Sequence, residues 1–344
     1  MIKELTEKVK RKENLSKEET TNLFDEIMNG KISTDELADF LKALSEKGEV
    51  INEIVGAVCS MKKVVAKVEP TIEEDLLDIV GTGGDKKSSV NVSTASAIVC
   101  ASAGAIVAKH GNRSVSSTTG SADLLEAAGV NLSLTPEQVQ RCIDEVGLGF
   151  MFAPAHHSAM KYAIGPRKEM GIRTIFNMLG PMTNPANVTN QVIGVFSQAL
   201  CRPMAEVLKR LGSKHVLVVH AEVGLDEISI SGKTFVTELK NDKIVEYTIS
   251  PSDFGLSETN LDGLSVSSAE ESLALIKNAL GRATDERSLK ARDIIILNAG
   301  AAIYTSGLAN SLSEGVERAA DAIGCGLAIT KISDLANFTN VFLS

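Results

Sequence analysis

The sequence contains no tryptophan, few other aromatic residues and no closely spaced cysteines. Its five cysteines are an odd number, and none belongs to a C-x-x-C pair, so neither a disulfide framework nor a zinc site is indicated. Positive charge is also scarce, because 35 lysines and arginines stand against 44 acidic residues and leave a net charge of −9. Nucleic acids are bound by concentrated basic side chains, so this balance argues against a nucleic-acid-binding protein.

Long apolar runs are missing as well. A membrane-spanning helix needs about 20 consecutive apolar residues, and no uninterrupted run approaches that length. The charged segment 1–17 lacks the apolar core of a secretory signal peptide. We therefore expect a cytoplasmic protein with no membrane role. Its 344 residues suffice for one large domain and a smaller one.

The N-terminal part of the chain has the pattern of helices alone. Capping boxes at residues 16–19 and 33–36 each precede an amphipathic run, and a further helix is predicted over residues 51–66. A Glu-Pro pair at residues 69–70 ends this block. The pattern predicts a small all-helical domain at residues 1–70.

From residue 76 onward, short apolar runs of strand type alternate with helical runs. This alternation predicts an α/β domain at residues 71–344, with a central, mainly parallel sheet covered by helices. Strands are predicted at residues 76–80, 106–110, 131–134, 191–195, 215–220, 233–239 and 243–249. The last two runs are close enough to form an antiparallel hairpin.

A glycine-rich turn, GTGGD at residues 81–85, lies between the first predicted strand and a helix rich in serine and threonine. It matches neither G-x-x-x-x-G-K-[ST], because no glycine directly precedes either lysine, nor G-x-G-x-x-G, because Lys86 occupies the third glycine position. Two interpretations remain: a tight turn followed by a helix cap, or a site where helix N–H groups bind an anion. The turn modestly favours the anion site.

A second polar turn follows the next predicted strand. Lys109 to Arg113 and the hydroxyl-rich stretch after them bring two cations and several hydroxyl groups to the same sheet edge. Such groups can pair with phosphate and fill its remaining acceptor positions. Two turns of this kind on successive strands suit a doubly phosphorylated ligand.

Two acidic residues, Asp226 and Glu227, follow the strand at residues 215–220. Acidic pairs are common in this chain, so such a pair taken alone is seldom a metal site. Carboxylates at the carboxyl end of a strand, facing a phosphate site, are nevertheless the ligands that Mg²⁺ uses together with substrate oxygens. The position therefore makes this pair a candidate magnesium site.

A fourth polar segment, residues 150–185, places histidines and cations among apolar residues. His156 and His157 beside a helix start are more often packing residues than catalysts. Arg167 differs, because a guanidinium on a helix after a strand end can hold a carboxylate by two hydrogen bonds.

Taken together, these motifs resemble the anthranilate phosphoribosyltransferase family. GTGGD, NVSTASA, KHGNRSVSSTTGSADLLEAAG, FAPAHHSAMK, GIRTIFNMLGPMTNP and GLDEIS occur in that family's order and spacing, and the resemblance covers nearly the whole chain. Pyrimidine nucleoside phosphorylases share the glycine turn and are the alternative, but they carry a different segment in place of KHGNRS. A nucleic-acid-binding paralogue and a purely structural protein are disfavoured by the charge balance and by the polar turns, respectively.

The resemblance implies transfer of the phosphoribosyl group of 5-phosphoribosyl 1-diphosphate, here called the donor, to the amine of anthranilate in tryptophan biosynthesis, with Mg²⁺. It also implies a nucleoside phosphorylase/phosphoribosyltransferase-like fold and a homodimer paired through the helical domain. That domain would be completed by residues 165–185, with the active site in the cleft between the domains. Thr118 replaces a basic residue common in the family, so we expect weaker donor binding.

Site residues follow from the same resemblance, position by position. The donor would be held by Gly81, Gly84, Asp85, Ser89, Asn91, Val92, Ser93, Thr94, Lys109, His110, Gly111, Asn112, Arg113, Ser114, Val115, Ser116, Ser117 and Ser121. Anthranilate would contact Gly81, Asn112 and Arg167, with His110 and His157 near its path. Magnesium would be bound by Ser93, Asp226 and Glu227. His110 is a candidate for assisting proton removal, and the sequence identifies no other catalytic residue.

Overall fold

The computed structural model describes residues 1–83, 90–114 and 118–343, with residues 166–169 described by their backbone. Its N-terminal part consists of helices, as predicted. They are α1 (Ile2–Lys10), α2 (Lys17–Met28), α3 (Thr34–Lys47) and α4 (Ile51–Val64). The capping box before α2 is present, because Ser16 and Glu19 each accept a hydrogen bond from the other's backbone N–H.

The strands form one sheet in the order β3-β2-β1-β4-β5-β6-β7. The strands are β1 (Leu77–Gly81), β2 (Val107–Gly111), β3 (Leu148–Phe152), β4 (Asn190–Gly194), β5 (His215–Ala221), β6 (Thr234–Lys240) and β7 (Lys243–Ile249). β1 to β5 are parallel, whereas β6 and β7 form an antiparallel hairpin. The mainly parallel sheet and the hairpin are therefore confirmed.

The remaining helices cover both faces of this sheet or connect its strands. They are α5 (Val92–Ser102), α6 (Ser121–Ala127), α7 (Pro136–Val146), α8 (Ala153–His156), α9 (Lys161–Met170), α10 (Phe176–Leu179), α11 (Cys201–Arg210), α12 (Ala269–Leu280), α13 (Glu286–Thr305), α14 (Leu312–Gly324) and α15 (Leu327–Asn340). Within the described ranges, every helix is too short or too polar to cross a membrane.

The apolar core lies on both faces of the sheet, as expected for parallel strands. On β5, Leu217 and Val219 face a cluster with α5, α13 and α14, whereas Val216 and Val218 face a cluster with α1 to α4 and α11. This alternation follows from the two-residue period of a strand. Ala163 and Ile175, from α9 and the residue before α10, join the second cluster, so the chain returns to the N-terminal helices there.

Two strand assignments from the sequence differ from the structure. Residues 131–134 are irregular, because Asn131 is held by α15: its backbone N–H donates to Thr339 Oγ1 and its side-chain amide to the Thr339 carbonyl. The prediction of a strand there was wrong. β3 was missed, because its five apolar residues merge into the long apolar and basic segment that follows them.

Candidate active site

The carboxyl ends of β1 and β4 meet Asp226, which follows β5. Gly81 pairs with Gly194 across the two strands. A Cβ added to Gly81 would lie 2.6 Å from Asp226 Oδ2, and a Cβ on Gly194 would overlap the Asp226 carbonyl group. Asp226 Oδ2 also accepts a hydrogen bond from the Gly83 N–H at 3.0 Å. The glycines are therefore needed here so that the carboxylate can lie against the backbone.

The other two predicted metal ligands lie beside this carboxylate. Ser93, in the first turn of α5, donates a hydrogen bond from Oγ to Glu227 Oε1 at 2.6 Å. One hydroxyl and two carboxylates are oxygen ligands of the kind that Mg²⁺ prefers. No cluster of three His, Cys, Asp or Glu side chains that could hold a metal occurs in the described part of the chain. An ion bound here would take further oxygens from a ligand or from water.

The turn after β2 is anchored to the start of α6 by Asp123. Asp123 Oδ2 accepts hydrogen bonds from the backbone N–H groups of Ser114 and Gly120, at 3.1 and 2.8 Å. Ser121 Oγ donates to the carbonyl of Asn112 at 3.3 Å. The sequence analysis did not identify Asp123, although its position three residues after Gly120 is that of a helix-capping carboxylate.

Arg113 is tied to α6. Its guanidinium bonds Asp123 Oδ1 at 2.9 Å and both carboxylate oxygens of Glu126, at 2.8 and 3.0 Å. These partners raise the pKa of Arg113 above its ordinary value. To reach a phosphate bound at the sheet edge, the side chain would have to give up these bonds.

Lys109 is buried beneath the turn, with a relative exposure of 3%. Its ammonium donates to the carbonyl of Ile79 on β1 at 2.6 Å. Burial lowers the pKa of Lys109, and the nearby carboxylates of Asp78 and Glu227 oppose that shift. Its charge is thus next to the predicted metal ligands but is held on the β1 backbone.

At the start of α5, Asn91 is fixed by helix α12 and by the segment before α6. Its Oδ1 accepts from Ser272 Oγ at 2.7 Å and its amide donates to the Thr119 carbonyl at 3.3 Å. The side chains of Val92 and Thr94 are buried in the core. Val92 and Thr94, two of the predicted donor-binding residues, therefore offer a ligand at this helix N-terminus their backbone rather than their side chains.

His110 and His157 form a buried pair whose ring centroids are 5.0 Å apart. In the described part of the chain, Nε2 of each ring is buried without a hydrogen-bond partner. Burial lowers the pKa of His110 well below its ordinary value and that of His157 to about 4, so both rings are neutral at pH 7. His156 has a different task, because its Nδ1 pairs with the carbonyl of Ala66 at 2.8 Å and holds the segment after α4.

Some predicted site residues lie outside the described part of the chain. They are Gly84, Asp85, Ser89, Val115, Ser116 and Ser117. The backbone of Arg167 lies in α9, and its side chain is likewise outside the description. Their predicted roles stay predictions.

Comparison with known families divides the matched chain into two parts. Residues 3–64 match the model described as "Glycosyl transferase family, helical bundle domain". Residues 73–329 match the model described as "Glycosyl transferase family, a/b domain".

Individual relatives share a more specific name. Anthranilate phosphoribosyltransferases from Hahella chejuensis and Cellvibrio japonicus are each 58% identical to this chain, over 99% and 98% of it and 98% of their own lengths. The crystal structure of the Thermus thermophilus anthranilate phosphoribosyltransferase superposes with a TM-score of 0.91 at 40% identity, covering 97% of this chain and 99% of that one. The Saccharomyces cerevisiae enzyme in complex with PRPP and Mg has a TM-score of 0.86 at 26% identity, covering 95% and 94%. Two matched glycosyltransferase domains, near-full-length relatives and the same fold place this chain in the anthranilate phosphoribosyltransferase family.

Proposed function

We propose that the cleft at the carboxyl ends of β1, β2 and β4 carries phosphoribosyl transfer to anthranilate. In this reaction the bond between the ribose C1 and diphosphate breaks, the bond between C1 and the amine nitrogen forms, and the amine gives up one proton. The observation that carries the proposal is the contact of Asp226 with the backbone at Gly81 and Gly83, next to the bond between Ser93 and Glu227. The arrangement supports the proposal, because carboxylate and hydroxyl oxygens lie beside the N-terminus of α5, where a diphosphate could be bound.

The donor would lie along the turns that follow β1 and β2. Backbone N–H groups of the glycine turn and of the start of α5 would hold its phosphate oxygens, and Lys109 would add positive charge from beneath. Ser93, Asp226 and Glu227 would hold Mg²⁺, which when bound would balance the charge of the diphosphate as it leaves. The yeast relative was solved in complex with PRPP and Mg, which supports this ligand and ion for the present chain.

Anthranilate would enter on the side of His110, His157 and α9. His110 hydrogen-bonds the Gly180 backbone, and among the described residues its Nε2 has no hydrogen-bond partner. In the neutral ring, Nε2 would therefore carry a lone pair. That lone pair would accept a hydrogen bond from the amine, while Asn112 and Arg167 would position the ring and its carboxylate. The yeast relative in complex with 4-fluoroanthranilate supports this substrate class.

The assembly follows as part of the same proposal. The helical domain would comprise residues 1–70 together with residues 165–185, and the α/β domain would supply the rest. The chain would act in the cytoplasm as a homodimer paired through its helical domain. Sedimentation equilibrium would test the pairing, and a monomer at micromolar concentration would contradict it.

Anthranilate consumption, followed by its fluorescence, tests the function. We expect consumption that requires both the donor and Mg²⁺, and that the double variant Asp226→Asn/Glu227→Gln largely loses. The matched control is Glu73→Gln/Glu74→Gln, which also removes two negative charges, but from an exposed loop. The control should retain wild-type turnover.

Other outcomes would point elsewhere. A folded wild type that consumes no anthranilate would contradict the proposal, and thymidine phosphorolysis would then test the phosphorylase alternative. Equal loss in the acidic double variant and in the control would show that charge removal, rather than ligand geometry, caused the effect. Near-normal turnover by His110→Ala would remove His110 from the mechanism.

A further inference from the structure

The pairing of β1 with β2 ends near the start of both strands, although the turns that follow these strands would bind one ligand. β1 pairs with β4 at five successive positions, from Leu77 with Asn190 to Gly81 with Gly194. With β2 it pairs at Leu77 and Val107. The carboxyl ends of β1 and β2 are thus joined by something other than a continuous strand ladder.

Two side chains cross between these strands in opposite directions. Lys109 of β2 donates from Nζ to the β1 carbonyl of Ile79 at 2.6 Å. Asp78 of β1 accepts, through Oδ1, the β2 backbone N–H of His110 at 3.2 Å. Asp78 has a relative exposure of 0%, so both bridges lie in the interior. Each strand end is therefore fixed by a charged side chain of the other.

Asn184, in the segment after α10, completes the arrangement. Its amide nitrogen donates to Asp78 Oδ2 at 2.8 Å and to the carbonyl of Ala108 on β2 at 2.9 Å. Its Oδ1 accepts the N–H of Ala186 at 2.8 Å. Asn184 is itself buried. The asparagine thus ties Asp78 and β2 to a third segment of the chain.

This geometry requires a carboxylate at residue 78. The oxygens of Asp78 face the backbone N–H of His110 and the side-chain amide of Asn184, and an ionised carboxylate can accept both hydrogen bonds. An asparagine would turn its own NH₂ group toward one of these N–H groups and leave a buried N–H group without an acceptor. Burying the charge is unfavourable, and the nearby Lys109 ammonium compensates for part of that cost.

We propose that Asp78, held by Asn184, is a positioning residue for the donor site. It fixes the end of β2 and the ammonium of Lys109 at a set distance from β1, so that the turns after both strands can hold one donor molecule. The inference rests on the proposed function, because it takes that donor as the ligand. Asp78 touches no substrate and acts through Lys109 and His110.

The test compares Asp78→Asn with a swapped pair and with a distant control. Asp78→Asn should raise the KM for the donor roughly tenfold or more, and weaken calorimetric binding of 5-phosphoribosyl 1-diphosphate equally, since a buried charge-assisted bond is lost. The KM for anthranilate should change less than about twofold. Asp78→Asn/Asn184→Asp restores a carboxylate facing an amide, so donor binding should partly recover. Glu238→Gln removes another buried carboxylate, near the amino end of β5, and should leave donor binding unchanged.

The outcomes separate this inference from the proposed function. A wild type without donor binding and without turnover contradicts both. The positioning role alone is overturned if the wild type binds the donor and folded Asp78→Asn has an unchanged KM for it. It is also overturned if Glu238→Gln weakens donor binding as much as Asp78→Asn does. If Asp78→Asn does not fold, Asn184→Ser is the second variant. It removes the amide that hydrogen-bonds Asp78 Oδ2 and should raise the KM for 5-phosphoribosyl 1-diphosphate a few-fold. A donor KM equal to that of the wild type in this variant would overturn the inference.

Discussion

The guanidinium carbon of Arg173 lies 3.7 Å from the centroid of the Phe196 ring. Arg173 lies between α9 and α10, and its carbonyl accepts a hydrogen bond from Ser45 of α3 at 3.0 Å. Phe196 follows β4, and its backbone N–H donates to Thr82 Oγ1 at 3.2 Å. The stacked pair thus links the N-terminal helices to the glycine turn after β1.

We expect this pair to hold the segment before α10 against the residues that follow β1 and β4. Cation–π contacts contribute about 0.5–2 kcal/mol, depending on exposure. Arg173→Met and Phe196→Leu should each lower kcat/KM for both substrates a few-fold, because the glycine turn loses a fixed neighbour. Because Arg173 makes other contacts as well, the informative quantity is the coupling energy of a double-mutant cycle in urea unfolding and in kcat/KM. Additive effects of the two substitutions would show that the stacking has no role.

Gly81→Ala should disturb the predicted metal ligands directly. The added methyl group would lie 2.6 Å from Asp226 Oδ2, so the carboxylate must move away from the strand ends. We expect a large fall in turnover and a higher Mg²⁺ concentration for half-maximal rate. Gly324→Ala is the control, because a Cβ there meets no atom of the described residues within 4 Å. Unchanged magnesium dependence in Gly81→Ala would contradict the predicted role of Asp226.

The proximity of the predicted metal ligands could be derived from chain order and sheet geometry together. Ser93 follows β1, whereas Asp226 and Glu227 follow β5, and a parallel sheet brings the ends of those two strands to one edge. Asp78 and Asn184 were not found, because a single aspartate inside an apolar strand gives no sign of which backbone group it will meet. The position of Lys109 beneath β1, rather than facing the cleft, likewise depends on how β1 and β2 part. β3 was missed because an apolar run of five residues has no period of its own.

Glu238→Gln should reduce stability without changing the chemistry. Glu238 is buried beside β5 and accepts hydrogen bonds from Tyr304 at 2.7 Å and Tyr247 at 2.9 Å, and it pairs with His215 Nε2 at 2.9 Å. Burial raises its pKa, but these bonds outweigh burial and lower it overall. Its stabilising contribution is therefore present at neutral pH and is lost as the pH falls through the lowered pKa.

Urea unfolding at pH 7 and pH 4 measures this contribution. At pH 7 we expect a loss of about 1–3 kcal/mol in the variant, because the glutamine amide leaves one partner unsatisfied. The difference from the wild type should shrink at pH 4. A constant difference between the two pH values would contradict the lowered pKa.

Buried neutral histidines should make the fold sensitive to acid. The pKa of His157 is lowered from 6.5 to about 4 by burial and by the neighbouring His156, and those of His110 and His156 are lowered as well. Between pH 6.5 and pH 4 the unfolded chain therefore binds a proton at residue 157 that the folded chain does not. Stability should fall with pH in this window, by up to about 1.4 kcal/mol per pH unit for each such histidine.

Replacing one histidine isolates its share of that slope. His157→Gln keeps a polar side chain of similar size but cannot titrate, so its free energy of unfolding should depend less steeply on pH than that of the wild type between pH 6.5 and pH 4. In the difference between the two proteins, the contributions of the other titrating groups to the pH dependence cancel. Asp78 is one of these groups: burial raises its pKa to about 6, so its contribution has the opposite sign. Parallel pH profiles in urea unfolding would mean that His157 is protonated in the folded chain too, and therefore that its ring is not buried as the structure shows it.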